Sequence, residues 1–281
     1  MSGFKSYALA ALASSLLVLP GCSSYPDHDI KNTVAEDGTK QIAKDYVEYA
    51  MLASNAYHSD KKMYFPVDLL GWKQVDADGN EIKEGATADH WFTGLSYDIY
   101  ENEKSGEIVF AIRGSDGKWD YAISNFSTFG FSYRQANNAA REYMRKNPGK
   151  KVVAVGHSLG GGIAFSISAK TDHPPVEAVV FNPSPRVFDG IGDKHADAKR
   201  VMVFEKGEIL ETIRSEWPKI FELTQAGNIF AFHYDFGKSN KHKSDCLAYW
   251  MLKDSVEIDP SLSVVLSSVK MPAHEKNVCA K

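Results

Sequence analysis

The sequence predicts an α/β fold in which a mostly parallel sheet is flanked by helices. Two mostly apolar runs of strand length, residues 107–112 and 151–155, each lead directly into a turn that contains glycine. Two more β-rich runs follow at residues 177–181 and 200–204, and helical patterns alternate with such runs along the chain. Strands that alternate with helices are typical of a parallel sheet that is buried on both faces.

The other elements are placed by the spacing of apolar residues and by turn residues. Apolar side chains at helical spacing, including Ile42, Tyr49 and Tyr57, predict a first helix that begins near Thr39. Alternating positions predict strands, and proline or glycine marks the ends of helices. The remaining predicted elements are a hairpin that starts at residues 72–75, a strand at 95–99, a helix at 133–146, a helix directly after the 151–155 strand, a strand at 230–236 and a last helix at 242–253.

The composition is that of one packed domain. Of 281 residues, 43% are hydrophobic and 24% are charged, which is too apolar for a disordered chain. With 32 basic and 36 acidic residues, the chain has no surplus of positive charge to hold a phosphate backbone, so we expect no nucleic-acid partner. No internal repeat or second linker is visible, and residues 39–281 are predicted to form a single domain.

The N-terminal segment has the pattern of a signal peptide. Lys5 precedes an apolar run of about 14 residues, whereas about 20 are needed to cross a bilayer as a helix. The run ends in the letters LPGC at residues 19–22, which resemble the lipobox of bacterial lipoproteins. The resemblance implies that residues 1–21 are removed, that Cys22 is lipidated and that residues 22–38 form a lipidated tether. The alternative is an ordinary secretory signal with an incidental cysteine.

The lipobox resemblance also implies a location in the cell envelope. Removal of Lys5 with the signal peptide leaves 31 basic and 36 acidic residues, a net charge of −5. Two acyl chains would anchor the domain firmly to a membrane. Ser23 is not a residue that retains such proteins in the inner membrane, so the resemblance implies an outer-membrane lipoprotein that faces either the periplasm or the cell surface.

The two other cysteines, Cys246 and Cys279, form an even pair in a compartment where disulfides persist. A bridge between them would close a loop of about 34 residues and stabilise the fold by roughly 3 to 4 kcal/mol in the chain-entropy model. The alternative is a buried, apolar Cys246 and a free Cys279 thiol. Three cysteines without paired spacing do not indicate a zinc site.

A glycine-flanked serine, Gly156-His157-Ser158-Leu159-Gly160, follows the second predicted strand and precedes a small, apolar helical segment. A serine on a tight strand-to-helix turn needs small flanking residues, and the turn raises its hydroxyl above the carboxyl edge of the sheet. The helix aims its N-terminal amides at developing negative charge, so the amide of Leu159 is a candidate oxyanion donor. We expect Ser158 to be a nucleophile and His157 to pack elsewhere. The alternative is a glycine-rich turn with a structural serine.

Three blocks of sequence carry a family resemblance. The blocks VVAVGHSLGGGIA, VFAIRGS and AVVFNPSPRV resemble the nucleophile block, the oxyanion block and a later strand of the class 3 lipases. The resemblance spans about residues 40–250 and implies an α/β-hydrolase fold that cleaves esters without a metal or organic cofactor. Two departures are visible. Ile112 stands where an aromatic is usual, and Asn182-Pro183-Ser184 stands where glycine or serine usually precedes Pro-Arg.

The same resemblance implies the oxyanion donors. Ser115 takes the position whose amide and hydroxyl face the oxyanion, and Leu159 supplies the second amide. The alternative for Ser115 is an ordinary turn hydroxyl. Arg113, two residues before Ser115, is expected to fix the loop by bonding carbonyls or carboxylates.

The order of catalytic residues in this fold is serine, acid, histidine. Glu208, within Gly207-Glu208-Ile209, matches the family's acid, although the family commonly uses aspartate. His242 follows a loop and opens the predicted last helix, which matches the family's histidine. The other candidates are Glu205, Asp189, Asp193 and Asp197 for the acid, and His233 and His274 for the base.

Aromatic residues cluster shortly after the oxyanion block. In a segment predicted to be a loop near the catalytic edge, the candidate substrate-binding residues are Trp119, Tyr121, Phe126 and Phe129, and Phe131 follows them. An apolar groove there would accept acyl chains. The alternative is that these side chains pack under the following helix. Residues 210–228 are a second candidate cover.

The sequence therefore predicts a membrane-anchored serine ester hydrolase that acts on lipid esters, of lipase or phospholipase A1 type. A lipid or other acyl ester would be its substrate, and the membrane would be its partner through the N-terminal anchor. The alternatives are a short-chain carboxylesterase or thioesterase, and a non-catalytic outer-membrane interaction protein on a hydrolase frame.

Overall fold

A computed structural model gives the arrangement of the predicted elements. It describes residues 22–23, 36–59, 61–83, 86–90, 95–115, 126–169, 173–184, 187–188, 195, 198–205, 208, 210, 229–234, 242–272 and 279. Within these residues, eight strands form one sheet, and two further strands form a separate pair.

The sheet is mostly parallel, as predicted. Its strands are β2 (Trp72–Val75), β3 (Ala88–His90), β4 (Leu95–Asn102), β5 (Ile108–Ile112), β6 (Val152–His157), β7 (Glu177–Phe181), β9 (Arg200–Glu205) and β10 (Ile229–Tyr234). The spatial order is β10-β9-β7-β6-β5-β4-β2, with β3 also paired to β4. Strands β5, β6, β7, β9 and β10 are parallel, whereas β4 is antiparallel to its neighbours. The parallel strands therefore bring five carboxyl ends to one edge of the sheet.

Helices cover both faces of the sheet. Their bounds are Glu36–Asn55 (α1), Phe126–Lys146 (α2), Leu159–Ala169 (α3), Ser244–Ile258 (α4) and Ser263–Ser268 (α5), and 3-10 turns lie at Val67–Leu70 and Pro260–Leu262. One apolar core lies between the sheet and the pair α1 and α4, and a second lies between the sheet and the pair α2 and α3. Alternate residues of β5 serve the two cores, since Val109 belongs to the first and Phe110 to the second.

Three helix starts differ from the sequence prediction. Helix α1 begins at Glu36, inside the segment predicted as a tether, and α4 begins at Ser244 rather than at His242. Helix α2 begins at Phe126, so the prediction of a loop through Phe126 and Phe129 was wrong. The aromatic spacing continues the helical period, but Gly130 interrupts it, and glycine lowers helix propensity by about 1 kcal/mol.

The two remaining strands pair the N-terminal segment with the chain beyond β7. Strand β1 (Cys22–Ser23) is antiparallel to β8 (Val187–Phe188), with Cys22 opposite Phe188. No helix in the described part of the chain is long and apolar enough to cross a membrane.

The predicted disulfide is confirmed. The sulfur atoms of Cys246 and Cys279 are 1.97 Å apart, and their Cα atoms are 5.3 Å apart. The indole nitrogen of Trp250 donates a hydrogen bond of 3.1 Å to the carbonyl of Cys279. The bridge therefore ties Cys279 to the first turn of α4.

Candidate active site

Ser158 occupies the turn between β6 and α3. It is the single residue between the two elements, and its φ of +60° lies in the left-handed region that is uncommon for residues other than glycine. The amide of Ser158 donates to the carbonyl of Phe181 at 3.1 Å, and its carbonyl accepts from Gly162 and Ser184 at 3.2 and 2.8 Å. These bonds to β7 and to the residues after it hold the strained turn in place.

Glycines allow the turn to lie against its neighbours. A methyl group on Gly160 would overlap the carbonyl oxygen of Ile112 at the end of β5, and one on Gly156 would overlap Gly160. A methyl group on Gly114 would lie 3.2 Å from Cβ of Ser158. The end of β5 and the serine turn are thus in direct contact.

The two candidate oxyanion donors flank this contact. Leu159 is the first residue of α3, and Ser115 follows Gly114, whose backbone packs against Ser158. Arg113 fixes the same loop, as expected. Its amide donates to the carbonyl of Ser96 at 2.9 Å, and its guanidinium lies 3.6 Å from the carboxylate of Asp89.

Glu208 and His242 form a buried pair at the same edge. Oε2 of Glu208 lies 2.7 Å from Nδ1 of His242, and it also accepts from the amide of Leu210 at 2.9 Å. The side chains of His242 and Glu208 are 5% and 0% exposed. A hydrogen bond to a carboxylate fixes the orientation of the imidazole ring, so Nε2 is the nitrogen that can exchange a proton with a hydroxyl.

The structure separates Glu208 from its nearest competitor. The amide of Glu205 donates to Oδ1 of Asn182 at 2.6 Å, and Nδ2 of Asn182 donates back to the Glu205 carboxylate at 3.5 Å. Glu205 is therefore bonded to the end of β7, whereas Glu208 is bonded to His242.

Several predicted residues cannot be placed. Trp119, Tyr121, Asp189, Asp193, Asp197 and His274 lie outside the described residues, as does all of the candidate cover at 210–228 except Leu210, which is buried. The backbones of Phe126 and Phe129 lie in α2 and that of His233 in β10, but their side chains are also outside the described part.

Two residues that the sequence did not assign to the site are in contact with it. The hydroxyl of Tyr57 lies 3.1 Å from Nδ1 of His157. His157 is buried, as expected, but it does not point away, because its ring centroid is 4.5 Å from that of His242. In the sequence, Tyr57 is the last residue of the apolar pattern of the first helix, so it was predicted to lie on the apolar face of that helix. The structure places it in a turn, two residues beyond the end of α1 at Asn55, and no feature of the sequence indicated its contact with His157.

The described residues contain no group of three histidine, cysteine or acidic side chains that could hold a metal ion. The chemistry available from these residues is that of a serine hydroxyl, an imidazole, a carboxylate and backbone amides. A parallel sheet with a strained serine between strand and helix, and a His–acid pair after the later strands, defines an α/β-hydrolase.

The chain belongs to the phospholipase-like family: the Tle-like phospholipase domain matches residues 48–221. The match includes Ser115, Ser158 and Glu208, and His242 lies beyond it. The lipase-type α/β-hydrolase predicted from the sequence is thereby confirmed. A search of curated proteins found no match.

The chain is similar to several solved lipases at low sequence identity. Lipase II from Rhizopus niveus is 16% identical, with a TM-score of 0.45 over 64% of this chain and 76% of that one. Lip2 lipase from Yarrowia lipolytica is 14% identical, with a TM-score of 0.45 over 80% and 84% of the two chains. A triacylglycerol lipase from Penicillium expansum is 16% identical, with a TM-score of 0.44 over 73% and 82%.

Proposed function

We propose that this protein hydrolyses acyl ester bonds of phospholipids through a serine nucleophile. The observation that carries the proposal is the buried 2.7 Å bond between His242 and Glu208, at the sheet edge where Ser158 lies on a strained turn. Family membership supports the substrate class, because the family is one of phospholipase-like domains.

In the acylation step, the hydroxyl of Ser158 attacks the ester carbonyl while Nε2 of His242 takes its proton. Glu208 holds the imidazole through Nδ1 and stabilises the imidazolium that forms. The amides of Ser115 and Leu159 donate to the oxyanion of the tetrahedral intermediate. Collapse of this intermediate breaks the bond to the alcohol oxygen, which leaves with the proton from His242.

Deacylation repeats the sequence with water as the nucleophile. His242 takes a proton from water, the hydroxide attacks the acyl-serine, and the same amides hold the second oxyanion. The fatty acid leaves, and the hydroxyl of Ser158 recovers its proton from His242. Besides the ester and water, these steps use only side chains and backbone amides of this chain.

We also propose that Cys22 carries a lipid anchor and that the protein is an outer-membrane lipoprotein. Cys22 pairs with Phe188, which lies four residues beyond Ser184, and the amide of Ser184 is bonded to Ser158. Four residues span at most about 14 Å. An acyl chain on Cys22 would therefore leave the protein close to the proposed nucleophile.

Covalent labelling tests the nucleophile and the reaction together. We expect a fluorophosphonate probe to label the wild-type protein at Ser158, and phosphatidylethanolamine vesicles to release free fatty acid. Ser158→Ala should abolish labelling and lower kcat by a factor on the order of 10³ or more, and His242→Ala should match its activity within an order of magnitude.

Ser255→Ala is the matched serine control. The hydroxyl of Ser255 is buried in α4 and donates to the carbonyl of Met251, away from the serine turn. This variant should keep both labelling and hydrolysis. A wild-type protein that neither reacts with the probe nor releases fatty acid would overturn the proposed function, and full activity in Ser158→Ala would overturn the assignment of the nucleophile.

A further inference from the structure

Tyr57 lies where the segments that carry the proposed nucleophile and oxyanion donor meet. Its hydroxyl is 3.1 Å from Nδ1 of His157, the residue before Ser158. The same hydroxyl packs against Gly114, since a methyl group on Gly114 would overlap it and would also lie 3.2 Å from Cβ of Ser158. Tyr57 is buried, so these contacts are shielded from water.

His157 continues the contact to the proposed base. The ring centroids of His157 and His242 are 4.5 Å apart, with an interplanar angle of 46°. Because Nδ1 of His157 is bonded to Tyr57, rotation of the His157 ring would break a buried hydrogen bond, which costs about 1 to 3 kcal/mol. His157 therefore presents a fixed face to His242.

A second path joins Tyr57 to the segment of His242. Nζ of Lys62 lies 4.1 Å from the centroid of the Tyr57 ring and donates to the hydroxyl of Ser244 at 3.0 Å. Ser244 is the first residue of α4, two residues after His242. A cation over an aromatic face is attractive, so the ring of Tyr57 is held on its face as well as at its hydroxyl.

The backbone next to Tyr57 is anchored to the sheet. His58 has a φ of +48°, and its Nε2 lies 2.7 Å from Oδ2 of the buried Asp98 on β4. The carboxylate of Asp98 also accepts from the side chain of Gln74 and the amide of Thr87, at 2.8 and 3.1 Å. The position of Tyr57 is thus set by β2, β4 and the segment between them.

We propose that Tyr57 and His157 are positioning residues for His242. The inference rests on the proposed function and adds two residues that support the proposed catalytic base. The hydroxyl of Tyr57 orients His157, and the ring of His157 holds the His242 imidazole so that Nδ1 faces Glu208 while Nε2 faces Ser158. A displacement of about 1 Å in such a group can lower the rate about 100-fold, so the effect belongs to kcat rather than to substrate binding.

Tyr57→Phe removes only the hydroxyl and keeps the ring beneath Lys62. We expect kcat for a p-nitrophenyl ester to fall by about 10-fold or more, with KM changed less than about 2-fold. His157→Phe should give a similar or larger loss. Because Tyr57 acts through His157, the double variant should be no slower than His157→Phe alone.

Tyr49→Phe is the matched control. Tyr49 lies on the same region of chain, in α1, and its hydroxyl donates to Glu107 at 2.7 Å at the opposite end of the sheet. The control loses an equivalent hydroxyl and should keep the wild-type kcat. If the fold-decreases in kcat of Tyr57→Phe and His157→Phe multiply in the double variant, Tyr57 does not act through His157, and this part of the inference is overturned.

A spectroscopic measurement tests positioning without turnover. The proton between Nδ1 of His242 and Glu208 should give a far-downfield proton NMR signal, which we expect to shift or broaden in Tyr57→Phe and to stay unchanged in Tyr49→Phe. A wild-type kcat together with an unchanged signal in Tyr57→Phe would overturn the inference. A wild-type protein without hydrolysis or labelling would overturn the proposed function instead, and the NMR comparison would still decide the role of Tyr57.

Discussion

Glu208 and Glu205 lie three residues apart, yet their carboxylates bond different parts of the sheet edge. The carboxylate of Glu208 holds His242, while that of Glu205 is bonded to Asn182. The distinction matters because, in the proposed mechanism, only a carboxylate bonded to the imidazole can stabilise the imidazolium that forms when Ser158 attacks.

Glu208→Gln is therefore expected to lower kcat by a factor on the order of 100 or more, with little change in KM. The amide cannot stabilise the imidazolium, and its NH₂ group can hold the ring in the wrong tautomer. Steady-state kinetics on a p-nitrophenyl ester measure this change, and thermal unfolding checks that the fold is intact. Glu205→Gln keeps an oxygen for Asn182 and should stay within about 3-fold of wild type. The reverse pattern would transfer the role of the acid to Glu205.

At this scale, the sequence predicted the pairing of Glu208 with His242 but not the residues that pack next to that pair. Glu208 and His242 could be named in advance because short motifs and the order of a hydrolase chain point to them, and their catalytic roles stay predictions. The bond between Tyr57 and His157 joins residues 100 positions apart, and neither residue carries a local signal for that contact. Such contacts follow from how α1 packs on the sheet, which spacing along the chain does not encode.

At the scale of elements, the close contact between β5 and the serine turn depends on the absence of a side chain at Gly160. In Gly160→Ala, the new methyl group would meet the carbonyl oxygen of Ile112, which is backbone and cannot rotate away. We expect the free energy of unfolding to fall by about 1 to 3 kcal/mol or more. Hydrolysis should also be lost, because the segment after β5, which carries Ser115, is displaced. Chemical denaturation and vesicle hydrolysis together measure the two effects.

Gly161→Ala provides a graded comparison. A methyl group there would lie 3.0 Å from the side chain of Pro183, which is tight but can be relieved by a small shift. The loss of stability should be clearly smaller than in Gly160→Ala. Equal tolerance of both substitutions would show that the contact between Gly160 and Ile112 is not needed.

The strands were predicted more accurately than the helix starts, for a physical reason. A buried parallel strand such as β6 is a continuous apolar run with turn residues at its ends, so its limits are visible in the sequence. Helix α2 begins among aromatic residues and contains Gly130, and its first turns are decided by tertiary packing rather than by propensity.

At the scale of the whole molecule, the Cys246–Cys279 bridge ties the C-terminal residues to α4, the helix that follows His242. Replacing both cysteines by alanine should lower the free energy of unfolding by about 2 to 4 kcal/mol, because the unfolded chain regains the entropy of a loop of 33 residues. Urea denaturation measures the loss. The same loss should appear in the wild-type protein under reducing conditions, and no change in either experiment would contradict a stabilising role for the bridge.

Membrane attachment is tested separately from catalysis. Cys22→Ala should abolish lipidation, so the variant is expected in the soluble fraction of lysed cells while it still hydrolyses dispersed phospholipid. Fractionation followed by immunoblotting measures the distribution. The inactive Ser158→Ala variant is the control and should stay with the membranes. A Cys22→Ala variant that remains membrane-bound would contradict lipidation as the main anchor.

Residues with a left-handed backbone conformation are of different types near the serine turn and elsewhere in the protein. In the described residues, the positive φ values at the turns that contain Gly71, Gly79, Gly106 and Gly149 belong to glycine, whereas near the serine turn they belong to His58, Ser158, Asn182 and His242. Each non-glycine residue in this region costs on the order of 1 kcal/mol or more. At Ser158, relief of this strain alone would favour glycine, whereas at His58, Asn182 and His242 a glycine would remove side chains bonded to the buried Asp98, Glu205 and Glu208. Thermotolerant descendants of this protein should therefore accumulate their substitutions elsewhere.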